Sequence, residues 1–276
     1  MHCVRDFLMK SGLARLDAQV LLQHVLGVSR SWLIAHDTDV LSPAQLQAIE
    51  ACFQRRQAGE PVAYIVGERE FMGHVFKVSP AVLIPRPDTE LLVETALQVL
   101  RARPGEAQAM LDLGTGSGAI AISVALACSG VQVVATDASE PALRLARENA
   151  QNLGARVEFY AGNWYHALLG SSRFDLIVSN PPYIAPDDSH MVQGDLRFEP
   201  RGALTDETDG LQAIRQIVQE APEWLKPGGV LWLEHGWDQA ASVRALLEQS
   251  GFQDVQSRKD LAQIERISGG RYNACF

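Results

Sequence analysis

The stretch "AMLDLGTGSGAIAISVALAC" (Ala109–Cys128) holds a short apolar run, a glycine-rich break and a second apolar run. "AMLDL" has the length and bounded apolar character of a buried strand. "AIAISVALAC" follows as a helix. Between them Gly114, Gly116 and Gly118 permit backbone angles and close approaches that side chains would block. Three glycines in five residues weaken any regular element, so the turn needs a reason to hold them.

Downstream the same alternation repeats. "VQVVATD" precedes the helix "PALRLARENAQNLG"; "VEFYAG" and "FDLIVSN" precede the helix "GLQAIRQIVQEAPEWL". The strand "GGVLWLEHG", a helix over Gln239–Gln249 and two strand candidates around Val255 and Ile264 complete the series. Apolar strands alternating with helices predict an α/β fold, a doubly wound and mainly parallel sheet covered on both faces. Ligands of such sheets bind beyond the carboxyl ends of the strands. Three chemically unusual segments lie at that edge: Asp112 to Gly118, Asp137, and Ser179 to Tyr183.

Upstream the chain reads differently. "DAQVLLQHVLGV" (Asp17–Val28) carries an apolar stripe at helical spacing, and "SPAQLQAIEACFQRRQAG" begins with Ser42 as N-cap and Pro43 at the first helical position, stopping at Gly59. The period shifts toward two in "REFMGHVFKV", where Gly73 turns a hairpin. "IPRPDTE" (Ile84–Glu90) punctuates the chain before a helix over Leu91–Leu100. The expected division is a helical part over 1–67, a hairpin linker over 68–86 and the sheet domain over 87–276.

The 276 residues are 47% hydrophobic and 21% charged, ordinary globular usage. A net charge of −9 without a Lys/Arg cluster weakens readings that grip nucleic acid through phosphates. The four cysteines, Cys3, Cys52, Cys128 and Cys275, form no CxxC, so neither a zinc site nor a disulfide framework is expected. "AIAISVALAC" is about half of the ~20 residues a membrane span needs, and charges interrupt the N-terminus where a leader would be apolar. A cytoplasmic protein is expected, with no membrane attachment.

Asp137 stands 21 residues after Gly116, where a carboxylate can accept both hydroxyls of an adenosine ribose. A dinucleotide site would use the same geometry, and Gly114-x-Gly116-x-x-Ala119 fits its loose fingerprint. Asp112, two residues before Gly114, disfavours a pyrophosphate at the helix N-terminus. S-adenosylmethionine carries an ammonium and a sulfonium instead, and both are attracted to a carboxylate. It is therefore favoured over NAD, and a capped turn without ligand is the third reading. Trp164, after the third strand, is either an adenine platform or plain packing.

"SNPPYIAP" (Ser179–Pro186) ends the fourth strand in an amide, two prolines and a phenol. The prolines stiffen the loop and supply no donors, and an Asn before Pro is pushed toward extended geometry. An Asn180 side-chain oxygen and a Pro181 carbonyl would hold the two hydrogens of a planar NH2. They would orient its delocalised nitrogen toward a sulfonium and stabilise the charge that develops, as an oxyanion hole does with the sign reversed. Tyr183 would cover the planar group and offer a π face near the cationic methyl. Alone, the tetrapeptide is a stiff turn; its position beside the glycine loop gives it chemistry.

Together, "DLGTGSGAIA", "NPPY", "IPRPDTE" and "QGDLRFEPRGAL" resemble the protein-(glutamine-N5) methyltransferases called PrmC or HemK, over nearly the whole chain. The resemblance implies a seven-stranded sheet of the class I S-adenosylmethionine-dependent methyltransferase type. It also implies methylation of the GGQ glutamine in class I peptide chain release factors, with S-adenosylhomocysteine as the product. Carried over by motif, Gly114, Thr115, Gly116, Ser117, Gly118, Asp137, Trp164 and Asn180 would contact the cofactor. Asn180, Pro181, Pro182 and Tyr183 would hold the glutamine amide, Asn180, Pro181 and Tyr183 acting in catalysis. Arg86 and Thr89 would line the cofactor mouth, and the N-terminal helices would help dock the release factor on a monomeric enzyme.

Other constellations read as structural. "DDSH" (Asp187–His190) lacks paired metal-ligand spacing. Ser117 has Thr115 and Ala119 where a nucleophile elbow requires glycine. Glu234 and His235 close the fifth strand, with structural hydrogen bonding as the default. The rival functions are an amino-methyltransferase acting on nucleic-acid bases, a non-catalytic cofactor sensor and an NAD-dependent oxidoreductase.

Overall fold

The computed structural model describes residues 2–103, 107–168, 170, 172–192 and 194–273. The chain forms two compact units, Met1–Glu68 with Val192–Phe198, and Arg69–Met191 with Glu199–Phe276.

The first unit holds helices α1 (Val4–Lys10), α2 (Arg15–Leu26), α3 (Arg30–Ala35), α4 (Pro43–Gln57) and α5 (Val62–Val66). Ser42 caps α4 reciprocally: its hydroxyl accepts from Gln45 N while Gln45 returns a bond to the Ser42 backbone. The apolar stripe of α2 puts Leu21 and Leu22 into a core with Phe7, Leu33, Ile49 and Phe53. Phe7 and Phe53 meet edge to face at 5.3 Å. Arg56 on α4 ties in the distant 192–198 segment, bonding Asp17 at 2.7 Å and Asp195 at 3.1 Å. The sequence reading grouped that segment with the sheet domain, because nothing local marks its packing partner.

Strands β1 (Glu68–Phe71) and β2 (His74–Lys77) form the expected hairpin, with Gly73 at φ 76°. Helix α6 (Glu90–Arg101) follows. The alternating part then runs β3 (Gln108–Leu113), α7 (Ala119–Ala127), β4 (Val131–Asp137), α8 (Glu140–Leu153), β5 (Glu158–Ala161) and β6 (Phe174–Ser179). It ends with α9 (Gln212–Trp224), β7 (Leu225–Glu234), α10 (Ala240–Gln249), β8 (Phe252–Lys259) and β9 (Glu265–Tyr272). The seven-stranded sheet has the order β5-β4-β3-β6-β7-β9-β8. Its first five strands are parallel, and β9 lies antiparallel between β7 and β8.

Strand residues alternate between two cores. Met110, Leu176, Val178 and Trp232 face one with α6 and α7, which also holds Phe71 and Phe76 of the hairpin. Leu111, Leu113, Ile177 and Leu233 face the other, with Ile214, Ile217 and Val243 of α9 and α10. Burial on both faces explains why these strands read as continuous apolar runs.

Two boundaries differ from the sequence reading. Strand β7 starts at Leu225, paired to Phe174, and passes an irregularity before regular pairing resumes at Val230. The second terminal strand candidate, centred on Ile264, lies downstream as β9 and includes Gly269 and Gly270. A Cβ at Gly269 would lie 2.4 Å from both the Leu231 carbonyl oxygen and the Trp232 ring. The strand needs glycine there because an indole covers its backbone.

Candidate active site

The strand order reverses between β3 and β6, and a crevice at that point is where open α/β sheets bind ligands. A cavity of about 480 Å³ opens there. Gly114–Ser117 line it after β3, Asp137–Ser139 after β4, Asn163 and Trp164 after β5, and Asn180 and Pro182 after β6. Val82, Leu83, Pro85, Arg86 and Thr89 contribute from the segment before α6, and Pro200, Gly202 and Ala203 from the loop before α9.

The glycine turn is bonded into shape from within. Gly114 N and Thr115 N both donate to the Thr136 carbonyl, at 2.9 and 3.0 Å. Gly114 has φ 73°, and a Cβ on it would press against the Trp164 indole at 3.2 Å. Gly116 has φ 57° and open space beside it. Gly118 caps α7 at φ 83°; a Cβ there would strike Ile122 at 2.6 Å, so this glycine serves helix packing and does not line the cavity. The Asn149 side chain on α8 donates to the Ser117 carbonyl at 2.9 Å and exchanges two bonds with the Lys77 backbone. Asn149, on the buried side of α8, holds the turn to the hairpin.

The two acidic residues of the loop separate. Asp137 stands at the cavity, Oδ2 accepting from Gly116 N and Oδ1 from Ser139 N, both at 2.8 Å. Burial raises its pKa and those backbone donors pull it back. Asp112 is fully buried behind the turn and is not among the cavity residues. Its Oδ2 accepts from the Thr115 hydroxyl at 2.6 Å, and Oδ1 has no hydrogen-bond partner among the described residues. Burial pushes this carboxyl up to about 7. Asp112 therefore sits beneath the turn and supports it from within.

Ser179 holds the end of β6 to that of β3, its hydroxyl donating to the Leu113 carbonyl at 2.7 Å. Asn180, half-buried at the rim, donates from Nδ2 to the Thr89 hydroxyl at 3.2 Å, and its Oδ1 carries no protein hydrogen bond among the described residues. Pro182 lines the cavity; Pro181 and Tyr183 do not. Tyr183 leans away, its hydroxyl donating to Glu234 Oε1 at 3.2 Å and its carbonyl accepting from Gln239 Nε2 at 3.0 Å. Burial raises the Tyr183 hydroxyl well above its ordinary value, so it stays protonated. His235, beside Glu234, is spent on Ser268 Oγ at 2.8 Å and the Gly236 carbonyl at 2.9 Å.

Sequence reasoning missed Glu199. Its buried carboxylate accepts from Ile84 N at 3.1 Å and pairs with the Arg86 guanidinium, joining two cavity-lining segments. The only signal was its place in "QGDLRFEPRGAL", where no local pattern assigns it a role. Cys3, Cys52 and Cys128 are unbridged, while Cys275 and the His190 side chain lie outside the described residues. Among the described residues no group of three His, Cys, Asp or Glu stands together as a metal site. None of their helices is long and apolar enough to cross a membrane.

The donor set suits S-adenosylmethionine better than a dinucleotide. One carboxylate, Asp137, stands at the glycine turn, the walls at Val82, Leu83, Ile120 and Ala142 are apolar, and Arg86 is already paired to Glu199. A pyrophosphate would meet repulsion and find no uncommitted cation among the described lining residues.

The description "PrmC N-terminal domain" matches residues 1–67 and "Methyltransferase small domain" residues 87–197. The release factor glutamine methyltransferase of Bordetella pertussis is 61% identical over 270 residues, 98% of this chain and 99% of the relative. That of Burkholderia pseudomallei is 53% identical over 272 residues, 96% and 95% of the two chains. Among solved structures, the 16S rRNA N2 G1207 methyltransferase of T. thermophilus shares the fold, with a TM-score of 0.53 at 22% identity over 75% of this chain and 50% of that one. With such relatives matching along nearly the full length of both chains, this chain belongs to the release factor glutamine methyltransferase family.

Proposed function

We propose that the chain methylates the side-chain amide nitrogen of the GGQ glutamine in class I peptide chain release factors, as a monomer in the cytoplasm, using S-adenosylmethionine. The observation that carries this reading is Asn180: its amide nitrogen is tied to Thr89 and its oxygen is left free at the rim of an apolar, carboxylate-bearing cavity. When bound, S-adenosylmethionine supplies a methyl group activated by its sulfonium.

Gly114 to Ser117 would cradle the cofactor, Asp137 would accept from its ribose, and Trp164 would support its adenine. At the rim, Asn180 Oδ1 would accept one N–H of the glutamine amide, and the Pro181 carbonyl, next in the chain though outside the cavity lining, would accept the other. That contact draws electron density onto a weak nucleophile and opposes the positive charge it develops, so no strong base is needed. Holding the nitrogen in line supplies the remaining advantage, since orientation alone removes a large entropic part of the barrier. Pro182 would pack beside the amide and keep water out. The nitrogen's surplus proton leaves to solvent. The helices of residues 1–67 would help dock the protein substrate.

The direct test supplies methyl-labelled cofactor with a class I release factor and with its GGQ glutamine-to-alanine variant. Label on the first protein alone is expected. Label on both, or on neither, overturns the reading.

A further inference from the structure

An amide side chain has two ends of almost the same shape, one accepting and one donating. A hydroxyl beside it can bond either end, so Thr89 by itself does not decide which end of Asn180 faces the cavity. The choice depends on where the single Thr89 proton goes. Thr89 is 5% exposed and lies next to Glu234, the last residue of β7.

Glu234 is 1% exposed. Its Oε1 accepts from the Tyr183 hydroxyl, and Oε2 has no bonded hydrogen among the described residues. The Thr89 hydroxyl is the neighbouring donor, close enough to stabilise the charged carboxylate though short of a formed bond. One buried carboxylate thus stands behind both Asn180, through Thr89, and Tyr183 directly. We infer that Glu234 is a positioning residue: as an ionised, acceptor-only group it draws the Thr89 proton toward itself, leaving the Thr89 lone pairs for Asn180 Nδ2 and turning Asn180 Oδ1 to the cavity. This rests on the reading of Asn180 as the acceptor for a planar amide.

The charged groups around Glu234 oppose one another. Asp88, beside Thr89, disfavours its ionisation, and Arg266 on β9 favours it while itself bonded to Asp260 at 3.0 Å and facing Asp88 at 3.4 Å. Arg86 reaches the same cluster through Tyr183 and is held by Glu199. Burial is the largest influence and brings the Glu234 carboxyl to about 7. Below that pH the carboxyl gains a proton and can donate to Thr89. The hydroxyl then donates to Asn180 Oδ1, the amide turns over, and an NH2 faces a substrate NH2. Glutamine at position 234 has the same ability at every pH.

The test measures kcat, KM for release factor, cofactor affinity and thermal midpoint for N180A, E234Q, T89V and T89S, with kcat followed from pH 6 to 9. Asn180→Ala is expected to lose roughly a hundredfold in kcat. Glu234→Gln and Thr89→Val are each expected to lose roughly tenfold or more in kcat, with KM and cofactor affinity within about twofold of wild type. Thr89→Ser, which keeps the hydroxyl, is expected to recover most of the rate. Wild type is expected to lose activity as pH falls through about 7, and Glu234→Gln to lack that acid limb. If N180A fails while E234Q and T89V keep the wild-type rate and pH profile, Glu234 does not set the direction of the chain. If E234Q loses stability and shows the wild-type profile at reduced amplitude, with T89V fully active, the role is structural and the inference falls. An N180A enzyme at the wild-type rate would instead overturn the acceptor reading itself.

Discussion

Asp137 and Asp112 lie on neighbouring strand ends, yet the cavity uses them differently. Asp137 presents a carboxylate whose oxygens already hold Gly116 N and Ser139 N, so it shapes the turn and faces the cavity at once. Replacing it with alanine is expected to weaken cofactor binding by roughly tenfold or more, a lost charged hydrogen bond, as read by calorimetric titration; unchanged affinity would place the ribose contact elsewhere. Asp112 is out of reach of solvent, and burial raises its carboxyl to about 7 against the pull of the Thr115 hydroxyl. An unfolded aspartate titrates near about 3.9. The folded chain therefore holds this proton more tightly, and its stability declines as pH rises from about 4 to about 7. Asp112→Asn removes that dependence, so denaturant unfolding at pH 5 and pH 8 is expected to favour the variant, relative to wild type, more strongly at pH 8. A stability difference independent of pH would show that Asp112 is ionised throughout.

At the scale of elements, the sheet is organised by what each strand must bury. The central strands alternate between two apolar cores, while β9 carries glycine where the Trp232 ring of the adjacent β7 lies close over it. Gly269 is the tight point: a Cβ would need to pass the Leu231 carbonyl and the Trp232 ring, both at 2.4 Å. Backbone cannot give way as a flexible side chain can, and overpacking of a finished core costs about 1–3 kcal/mol or more. Gly269→Ala is expected to lower the unfolding free energy, read from denaturant titration, by at least about 1–3 kcal/mol. Gly270→Ala, whose nearest atoms lie at 3.1 Å, is expected to cost less. Equal effects of the two changes would contradict the steric account.

For the whole molecule, each unit has a core of its own. Phe7, Leu21, Leu22 and Phe53 belong to the helical unit alone, and the cavity residues belong to the sheet unit alone. Phe7→Ala removes a fully buried ring, a change that typically costs about 3–5 kcal/mol. The expected result is a raised KM or lost turnover with release factor, while cofactor affinity stays near wild type. Cofactor affinity that falls in step with KM would show that the sheet unit depends on the helical core. The net charge of −9 adds an expectation for the encounter: a basic partner should associate faster at low ionic strength.

The residues by themselves determined the periodic and the local: two-faced apolar strands, Ser42 with Pro43 opening a helix, Gly73 in a hairpin, and a glycine turn set between carboxylates. These are legible because each is decided by neighbours a few positions away. The same holds for bringing Gly114, Asp137, Trp164 and Asn180 to one edge, since a parallel sheet puts every strand's carboxyl end on one side. Only the tertiary structure decided that Asp112 withdraws behind the turn, that Tyr183 leans onto Glu234, that Asn149 and Glu199 bind distant backbone, and that β9 runs through two glycines. Asp112 depends on burial by the surrounding sheet, and the others on partners tens to more than a hundred positions away, where hydrogen-bond direction and desolvation are set by atoms that no local pattern contains.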